Sequence, residues 1–127
     1  MSKNSKKQIR QLRFNDFINQ YNIALLPLTV KMCEKNDFSR CQVLFTEDYD
    51  GITGICIFDT VNHYIRINVL EVRSDCKNSG IGRALIEKIK SFNRPIGLHS
   101  LEESIAFYEK MGFYVSEEGC FELEYTE

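Results

Sequence analysis

The spacing of apolar residues predicts three β-strands in the middle of the chain. Apolar side chains dominate three segments, Gln42–Thr46, Ile52–Phe58 and Tyr64–Val72. Polar turns at Asp48–Gly51 and Asp59–His63 separate these segments. The first turn contains Asp50-Gly51, a pair that strongly favours a hairpin. The almost continuous apolar run of Ile52–Phe58 predicts burial on both faces of a sheet. We therefore expect an antiparallel meander.

The pattern changes to a helical period after Val72. Ile81, Leu85, Ile89 and Phe92 recur on one helical face, which predicts an amphipathic helix from Gly80 to Phe92. A short strand is expected at Pro95–His99.

A second helix is predicted directly after this strand. Ser100 and Glu103 have the spacing of a capping box, and Gly112 is a suitable residue to end a helix at Met111. Two more strands are expected at Phe113–Val115 and Cys120–Tyr125, joined through Glu117–Gly119.

The first forty residues have a weaker pattern. Polar and apolar residues alternate in Gln8–Leu12, which is typical of a strand. Asn15 can cap a helix that follows it. Pro27 interrupts an apolar region that we expect to form helical pieces. We expect residues 1–7 to be a disordered basic tail and residues 8–127 to form one domain. The element order predicts an α+β fold with a central, mixed and mostly antiparallel sheet flanked by helices.

Composition describes an ordinary soluble domain and excludes several classes of function. Of 127 residues, 43% are hydrophobic and 27% are charged, and the net charge of −2 gives no general affinity for nucleic acid. No apolar stretch approaches the ~20 residues of a membrane span, and we expect no signal peptide. The end of the chain is rich in acidic residues: Glu117, Glu118, Glu122, Glu124 and Glu127. They form either a solvated surface or a rim that attracts a cationic partner.

The cysteines favour a reducing compartment. There are five, widely spaced and without a C-x-x-C pair, which argues against a disulfide framework and against a zinc site. We therefore expect a cytoplasmic protein without a bound metal.

The segment Val72–Leu85 carries the most specific chemical signal. It runs from the end of a strand through a polar loop into a helix, and the unpaired N–H groups and dipole of a helix start favour an anion there. Lys77, Gly80 and Gly82 form K-x-x-G-x-G, which lacks the further residues of a Rossmann or Walker loop. The two glycines could alternatively serve only tight packing of the helix on the sheet.

Two motifs together resemble the GNAT superfamily of N-acetyltransferases. Leu70–Leu85 is similar to the family's acyl-coenzyme A signature, a strand followed by Arg/Gln-x-x-Gly-x-Gly/Ala at the start of a helix. Ser104–Phe113 resembles the family's A-x-x-F-Y-E-K-x-G-F helix end. The resemblance covers about Gln8 to Tyr125 and includes the order of the elements.

This resemblance implies a binding site for acetyl-coenzyme A. The backbone N–H groups of the loop would hold the pyrophosphate, and Leu70 and Val72 would pair with the pantetheine arm through their backbone. The chain departs from the family at Lys77, where Arg or Gln is usual, and at Leu101, where many members have Asn. The expected coenzyme-binding residues are Leu70, Val72, Lys77, Asn78 (often Gly in the family), Ser79, Gly80, Ile81, Gly82 and Arg83.

The resemblance also implies the catalytic groups. Tyr108 occupies the position of the family's frequent catalytic tyrosine and is expected to protonate the departing thiolate. Glu71, at the end of the strand beside the thioester, is the candidate base, although it could be an exposed strand-end carboxylate. His63 and His99 are weaker candidates, deprotonation through water is possible, and covalent catalysis by Cys76 is disfavoured.

We therefore expect an N-acetyltransferase in which a primary amine attacks acetyl-coenzyme A directly in a ternary complex. We expect the acceptor to be a cationic small molecule, a free amino acid or a protein amine, and the protein to be a monomer or a homodimer. One alternative is a non-catalytic acyl-coenzyme A sensor or interaction module, and another is an α/β interaction domain without a coenzyme.

Overall fold

The computed structural model describes residues 8–21, 23, 26–115 and 122–125. Two short 3₁₀ turns, Ser74–Cys76 and Glu102–Ser104, precede the third and fourth helices. The predicted tail at residues 1–7 and the predicted turn at Glu117–Gly119 lie outside the described residues. The elements are, in chain order, β1 (Arg10–Arg13), α1 (Phe14–Gln20), α2 (Pro27–Lys35), β2 (Gln42–Asp48), β3 (Gly51–Val61), β4 (Tyr64–Val72), α3 (Ile81–Lys90), β5 (Ile96–His99), α4 (Ile105–Lys110), β6 (Tyr114–Val115) and β7 (Glu122–Tyr125).

The described strands form one mixed sheet. Its order is β1-β2-β3-β4-β5-β7-β6, and neighbouring strands are antiparallel except for the parallel pair β4–β5. The meander predicted from the apolar pattern is present as β2, β3 and β4. The α+β class with a mostly antiparallel sheet between helices is thus confirmed.

A hydrophobic core lies on each face of the sheet. Ile81, Leu85 and Ile89 of α3 join one core, as their helical spacing predicts, and Phe17 of α1 joins the other. Residues 52–58 of β3 are buried without exception because their side chains alternate between the two cores, as their apolar run predicts.

Helix α3 approaches β3 closely at Gly54. A Cβ added at Gly54 would lie 2.4 Å from Cγ2 of Ile81, the first residue of α3. Only a glycine leaves this space free, so Gly54 sets how closely the start of α3 sits on the sheet.

The helical piece expected in the region around Pro27 is present as α2. Pro27 is the first residue of α2, where its missing N–H costs nothing because that group has no acceptor in a helix. The predicted cap, Asn15, lies inside α1, whose N-terminal flanking residue is Arg13. The turn predicted over Asp59–His63 is shorter, because β3 continues to Val61.

The predicted capping box does not form. The Ser100 hydroxyl donates to the carbonyl of Leu101 at 2.7 Å, and a 3₁₀ turn delays the start of α4 to Ile105. Glu103 therefore does not occupy the third position of an α-helix, as the motif requires. The predicted helix end is confirmed, because Met111 flanks the end of α4 and Gly112 follows it with a left-handed φ of 96°. None of the helices among the described residues has the length and apolar character that a membrane span requires.

Candidate active site

Strands β4 and β5 diverge halfway along β4. Their parallel pairing joins residues 65–67 to residues 96–98 and goes no further. After His99 the chain turns away into the 3₁₀ turn that precedes α4, while β4 continues to Val72. In the part of the chain that the structure describes, the second half of β4 therefore has a strand partner only on its β3 side. Leu70 and Val72 lie in this open half, as the resemblance implies for the residues that pair with an extended ligand.

A β-bulge marks the point where the strands diverge. In the register of β3 with β4, Ile57 pairs with Val69 and Phe58 with Ile67, so Asn68 is the extra residue. The Asn68 side-chain amide donates to Asp59 Oδ1 at 3.0 Å. Sequence reasoning did not select Asn68, although a polar residue in the middle of an apolar strand was a signal that could have found it.

The loop after β4 exposes the start of α3. Gly80 precedes the helix with a left-handed φ of 89°, and no side chain caps the helix start. The first helical hydrogen bond runs from Ala84 N to Gly80 O at 2.9 Å, so the N–H groups of residues 81–83 have no acceptor within the helix. Asn78 is also left-handed, with a φ of 64°, a conformation that Asn tolerates better than most residues.

Two concave regions meet at the divergence of the strands. The loop-side groove, of about 600 Å³, lies between the loop, α3 and α4, and the α2-side cavity, of about 730 Å³, lies beneath α2. The loop-side groove is lined by Leu70, Val72, Cys76, Lys77, Asn78, Gly80, Ile81, Gly82, Arg83, Glu103, Ser104, Phe107 and Tyr108. The residues that line both regions are Leu70, Val72, Lys77, Glu103, Ser104 and Tyr108. The two regions therefore adjoin along these shared residues, and together they are called the passage from the loop, past β4, to α2.

Most of the expected coenzyme-binding residues line this passage. Ser79 is the exception, since its hydroxyl donates to the carbonyl of Cys76 within the loop. Glu103, Ser104 and Phe107 were not selected from the sequence but line the groove. They lie between Ser100 and Tyr108, so only the fold of this segment against β4 reveals them.

Tyr108 lies where the groove and the cavity meet. Its side chain is only 7% exposed, and its ring contacts those of Phe107 and Phe113 at centroid distances of 5.1 and 5.5 Å. Burial, and secondarily the nearby Cys56 thiol, raises the pKa of the Tyr108 hydroxyl well above its usual range. The hydroxyl is therefore a neutral proton donor at physiological pH.

Glu71 faces the α2-side cavity with its carboxylate already engaged. Oε1 accepts hydrogen bonds from the backbone N–H and the hydroxyl of Thr29, both at 2.7 Å, and Oε2 accepts one from the N–H of Leu28 at 3.0 Å. Glu71 is thus not a merely exposed carboxylate at the end of a strand.

The other candidates from the sequence lie in different environments. His99 lines the α2-side cavity, whereas His63 lies in the turn at the opposite end of β4 from Val72. Cys76 lines the loop-side groove, and burial together with a hydrogen bond to Asp75 raises the pKa of its thiol. A thiol that stays protonated is a poor nucleophile. The described cysteines Cys33, Cys41, Cys56 and Cys76 are free.

Comparisons with known proteins find relatives of the same kind. Residues 39–115, more than half of the chain, match the family model described as an acetyltransferase (GNAT) domain. Over 56 residues the chain is 41% identical to YlbP of Bacillus subtilis, an uncharacterized N-acetyltransferase, with 44% of this chain and 35% of YlbP covered. An uncharacterized N-acetyltransferase of Halalkalibacterium halodurans is 38% identical over 56 residues, which are 44% of this chain and 33% of that protein. The match thus spans about a third of the length of these curated relatives.

Solved structures share the fold. The crystal structure of YlbP in complex with coenzyme A superposes with a TM-score of 0.67 at 21% identity and covers 94% of this chain and 96% of that chain. Tetrahymena GCN5 superposes with a TM-score of 0.71 at 13% identity and covers 93% of this chain and 94% of that chain. With the fold, the loop and the family model in agreement, the chain belongs to the GNAT family of acetyltransferases.

Proposed function

We propose that this protein is an N-acetyltransferase that transfers an acetyl group from acetyl-coenzyme A to a primary amine. The observation that carries the proposal is the passage between the loop-side groove and the α2-side cavity, which share six lining residues, Tyr108 among them. A coenzyme bound in the groove would place its thioester where an amine can arrive from the cavity. The solved structure of the similar protein YlbP contains coenzyme A, which supports the choice of ligand.

The chemistry of the groove fits the coenzyme. The free N–H groups of residues 81–83 and the side chains of Lys77 and Arg83 would bind the pyrophosphate, because the start of a helix and two cations favour an anion. The open half of β4 offers the backbone groups of Leu70 and Val72 to the amides of the pantetheine arm, as an added strand would use them.

Tyr108 would act as the acid of the reaction. Acetyl-coenzyme A supplies an activated acyl group. As the amine nitrogen forms its bond to the acyl carbon, the carbon–sulfur bond breaks, and Tyr108 donates its hydroxyl proton to the thiolate. Tyr108 carries its proton at neutral pH and can donate it to the thiolate within a hydrogen bond, while its raised pKa makes the hydroxyl a weaker acid than an ordinary tyrosine.

The proton of the attacking amine needs an acceptor on the cavity side. The prediction that Glu71 is this base remains a prediction. The alternatives are His99, which lines the same cavity, and deprotonation through water. We expect direct attack in a ternary complex, because the thiol of Cys76 is kept protonated and is unsuited to a covalent acyl intermediate.

The acceptor is proposed to carry positive charge. Among the described residues, Glu71 and Glu103 line the α2-side cavity beside a single cation, Lys77, and this excess of acidic residues favours a cationic small molecule or a protein amine. Cytoplasmic location remains a prediction from the cysteine content.

Calorimetry and a thiol-release assay test the proposal together. We expect micromolar binding of acetyl-coenzyme A and release of free coenzyme A when one of a panel of amines is added: spermidine, kanamycin, free amino acids or a peptide with a free amino terminus. Binding without thiol release from any amine would favour a non-catalytic sensor. Absence of binding at millimolar acetyl-coenzyme A would refute the proposal.

A further inference from the structure

Helix α2 begins without a cap from its own segment. Its first helical hydrogen bond runs from Val30 N to Leu26 O at 3.1 Å, and Leu26 provides no side-chain cap. The N–H groups of Leu28 and Thr29 therefore have no acceptor inside the helix. Thr29 is fully buried, so an unpaired N–H or hydroxyl there would carry the full cost of desolvation.

Glu71 of β4 supplies the missing acceptors from across the fold. Its two carboxylate oxygens accept both of these N–H groups and the Thr29 hydroxyl, at 2.7 to 3.0 Å. A carboxylate at a helix N-terminus also interacts favourably with the helix dipole, and hydrogen bonds to a charged group are stronger than neutral ones. One side chain thus ties the start of α2 to the open half of β4.

This contact has a consequence for the cavity, because α2 forms one of its walls. Pro27, Leu28 and Met32 of α2 line the α2-side cavity, together with Tyr108 and His99. Since Leu28 is itself bound to Glu71, movement of the helix start away from β4 would change the width of the cavity where the acceptor must bind.

We propose that Glu71 and Thr29 form a latch that positions α2 as the acceptor-side wall of the active site. Glu71 then acts as a positioning residue rather than as the base. The inference rests on the proposed function as far as the acceptor is concerned, whereas the latch itself is a property of the fold. The latch gives Thr29 a role, whereas Thr29 would have no role if Glu71 acted only as the base.

Three variants test the latch. Thr29→Val removes the hydroxyl donor while keeping the size of the side chain, Glu71→Gln removes the charge, and Thr29→Ser keeps the hydroxyl as the matched control. Amide hydrogen exchange, measured by NMR on the full chain, follows the N–H groups of Leu28 and Thr29. We expect exchange to accelerate on the order of tenfold in the first two variants, as for the loss of one hydrogen bond to a charged group, and to stay near the original rate in Thr29→Ser.

Kinetics with the best amine of the panel test the positioning role. In Thr29→Val and Glu71→Gln we expect KM for the amine to rise about tenfold, while KM for acetyl-coenzyme A and the shape of the pH–rate profile stay unchanged. Thr29→Ser, which keeps the hydroxyl, should have the same KM for the amine as the original protein.

Three results would overturn the inference. Unchanged exchange at both amides would show that no latch exists, and faster exchange with an unchanged KM for the amine would show that the latch does not position the acceptor. Loss of the acidic limb of the pH–rate profile in Glu71→Gln, with Thr29→Val like the original protein, would identify Glu71 as the base. If the original protein releases no coenzyme A with any amine, the proposed function fails, and the exchange rates alone then decide whether the latch exists.

Discussion

Arg73 and Asp48 form a two-pronged ion pair that joins the loop after β4 to the β2–β3 hairpin. The guanidinium Nη2 lies 2.9 Å from Asp48 Oδ2, and Nη1 lies 3.2 Å from Oδ1. The same guanidinium reaches Asp75 in the loop, with Nε 2.7 Å from Oδ1. Arg73 is mostly buried, and its backbone N–H donates to the carbonyl of Thr53 at 2.8 Å. One arginine therefore fixes both the direction in which the chain leaves β4 and the first turn of the loop.

Replacement of Arg73 should loosen the proposed coenzyme site. In Arg73→Met we expect KM for acetyl-coenzyme A to rise on the order of tenfold, because the loop loses its attachment, and the free energy of unfolding to fall by about 1–3 kcal/mol. Arg66→Met is the matched control, since Arg66 makes a similar two-pronged pair with Asp59 away from the loop. Steady-state kinetics and urea unfolding measure both effects. An equal rise in KM for both variants would contradict a specific role of Arg73.

The same pair predicts how stability depends on acid pH. The hydrogen bond from Arg73 holds the pKa of Asp48 below its usual range. A carboxyl whose pKa is lower in the folded state stabilises the protein above the unfolded-state pKa of about 3.9, and this contribution is lost as pH falls through the folded-state pKa. Urea unfolding should therefore show a smaller loss of stability between pH 5 and pH 2 in Asp48→Asn than in the original protein. Parallel curves would mean that the pair contributes nothing. Asp75→Asn should change the curve less, because Asp75 is 67% exposed and its interaction is screened by solvent.

Removal of the Tyr108 hydroxyl should separate catalysis from binding. We expect Tyr108→Phe to lower kcat by about 10²–10⁴-fold while the affinity for acetyl-coenzyme A changes little, because the ring keeps its contacts with Phe107 and Phe113. Calorimetry and the thiol-release assay give the two quantities.

The raised pKa of Tyr108 also predicts how kcat depends on pH. Below its pKa the hydroxyl holds its proton, so the alkaline limb of the kcat profile should not come from Tyr108 and should keep its position in any residual activity of Tyr108→Phe. Full activity in the variant would exclude Tyr108 as the acid.

Substitution of Gly82 by alanine should stabilise the fold but weaken the binding of acetyl-coenzyme A. A Cβ at Gly82 would meet Phe107 at 3.5 Å and Val72 at 3.6 Å, which are ordinary contacts, so Gly82→Ala fits the free protein. We expect it to stabilise the fold by about 0.5–1 kcal/mol, because glycine is unfavourable within a helix. The added methyl group enters the loop-side groove, so binding of acetyl-coenzyme A should weaken. Thermal unfolding and calorimetry measure the two effects, and unchanged coenzyme affinity would place the ligand away from Gly82.

Local patterns in the sequence were enough to predict the main elements and the loop. The run of Ile52–Phe58, the helical spacing from Ile81 to Phe92, and the glycines at 80 and 82 each depend on residues that are near one another in the chain. The resemblance to the family selected Tyr108 through the residues beside it. Local reasoning failed at Ser100 and Glu103, whose spacing is that of a capping box, because a 3₁₀ turn delays the start of α4 to Ile105.

Only the tertiary structure decided which side chains meet. The bond between Glu71 and Thr29 spans 42 positions of the chain, and the pair of Arg73 with Asp48 spans 25. No spacing rule links residues so far apart, because their contact depends on how helices and hairpins dock on the sheet. The passage from the groove to the cavity has the same origin, since it exists only where β4 and β5 diverge. The loop from Val72 to Leu85 therefore carries the signal for the proposed coenzyme, whereas the docking of α2 on β4 shapes the α2-side cavity.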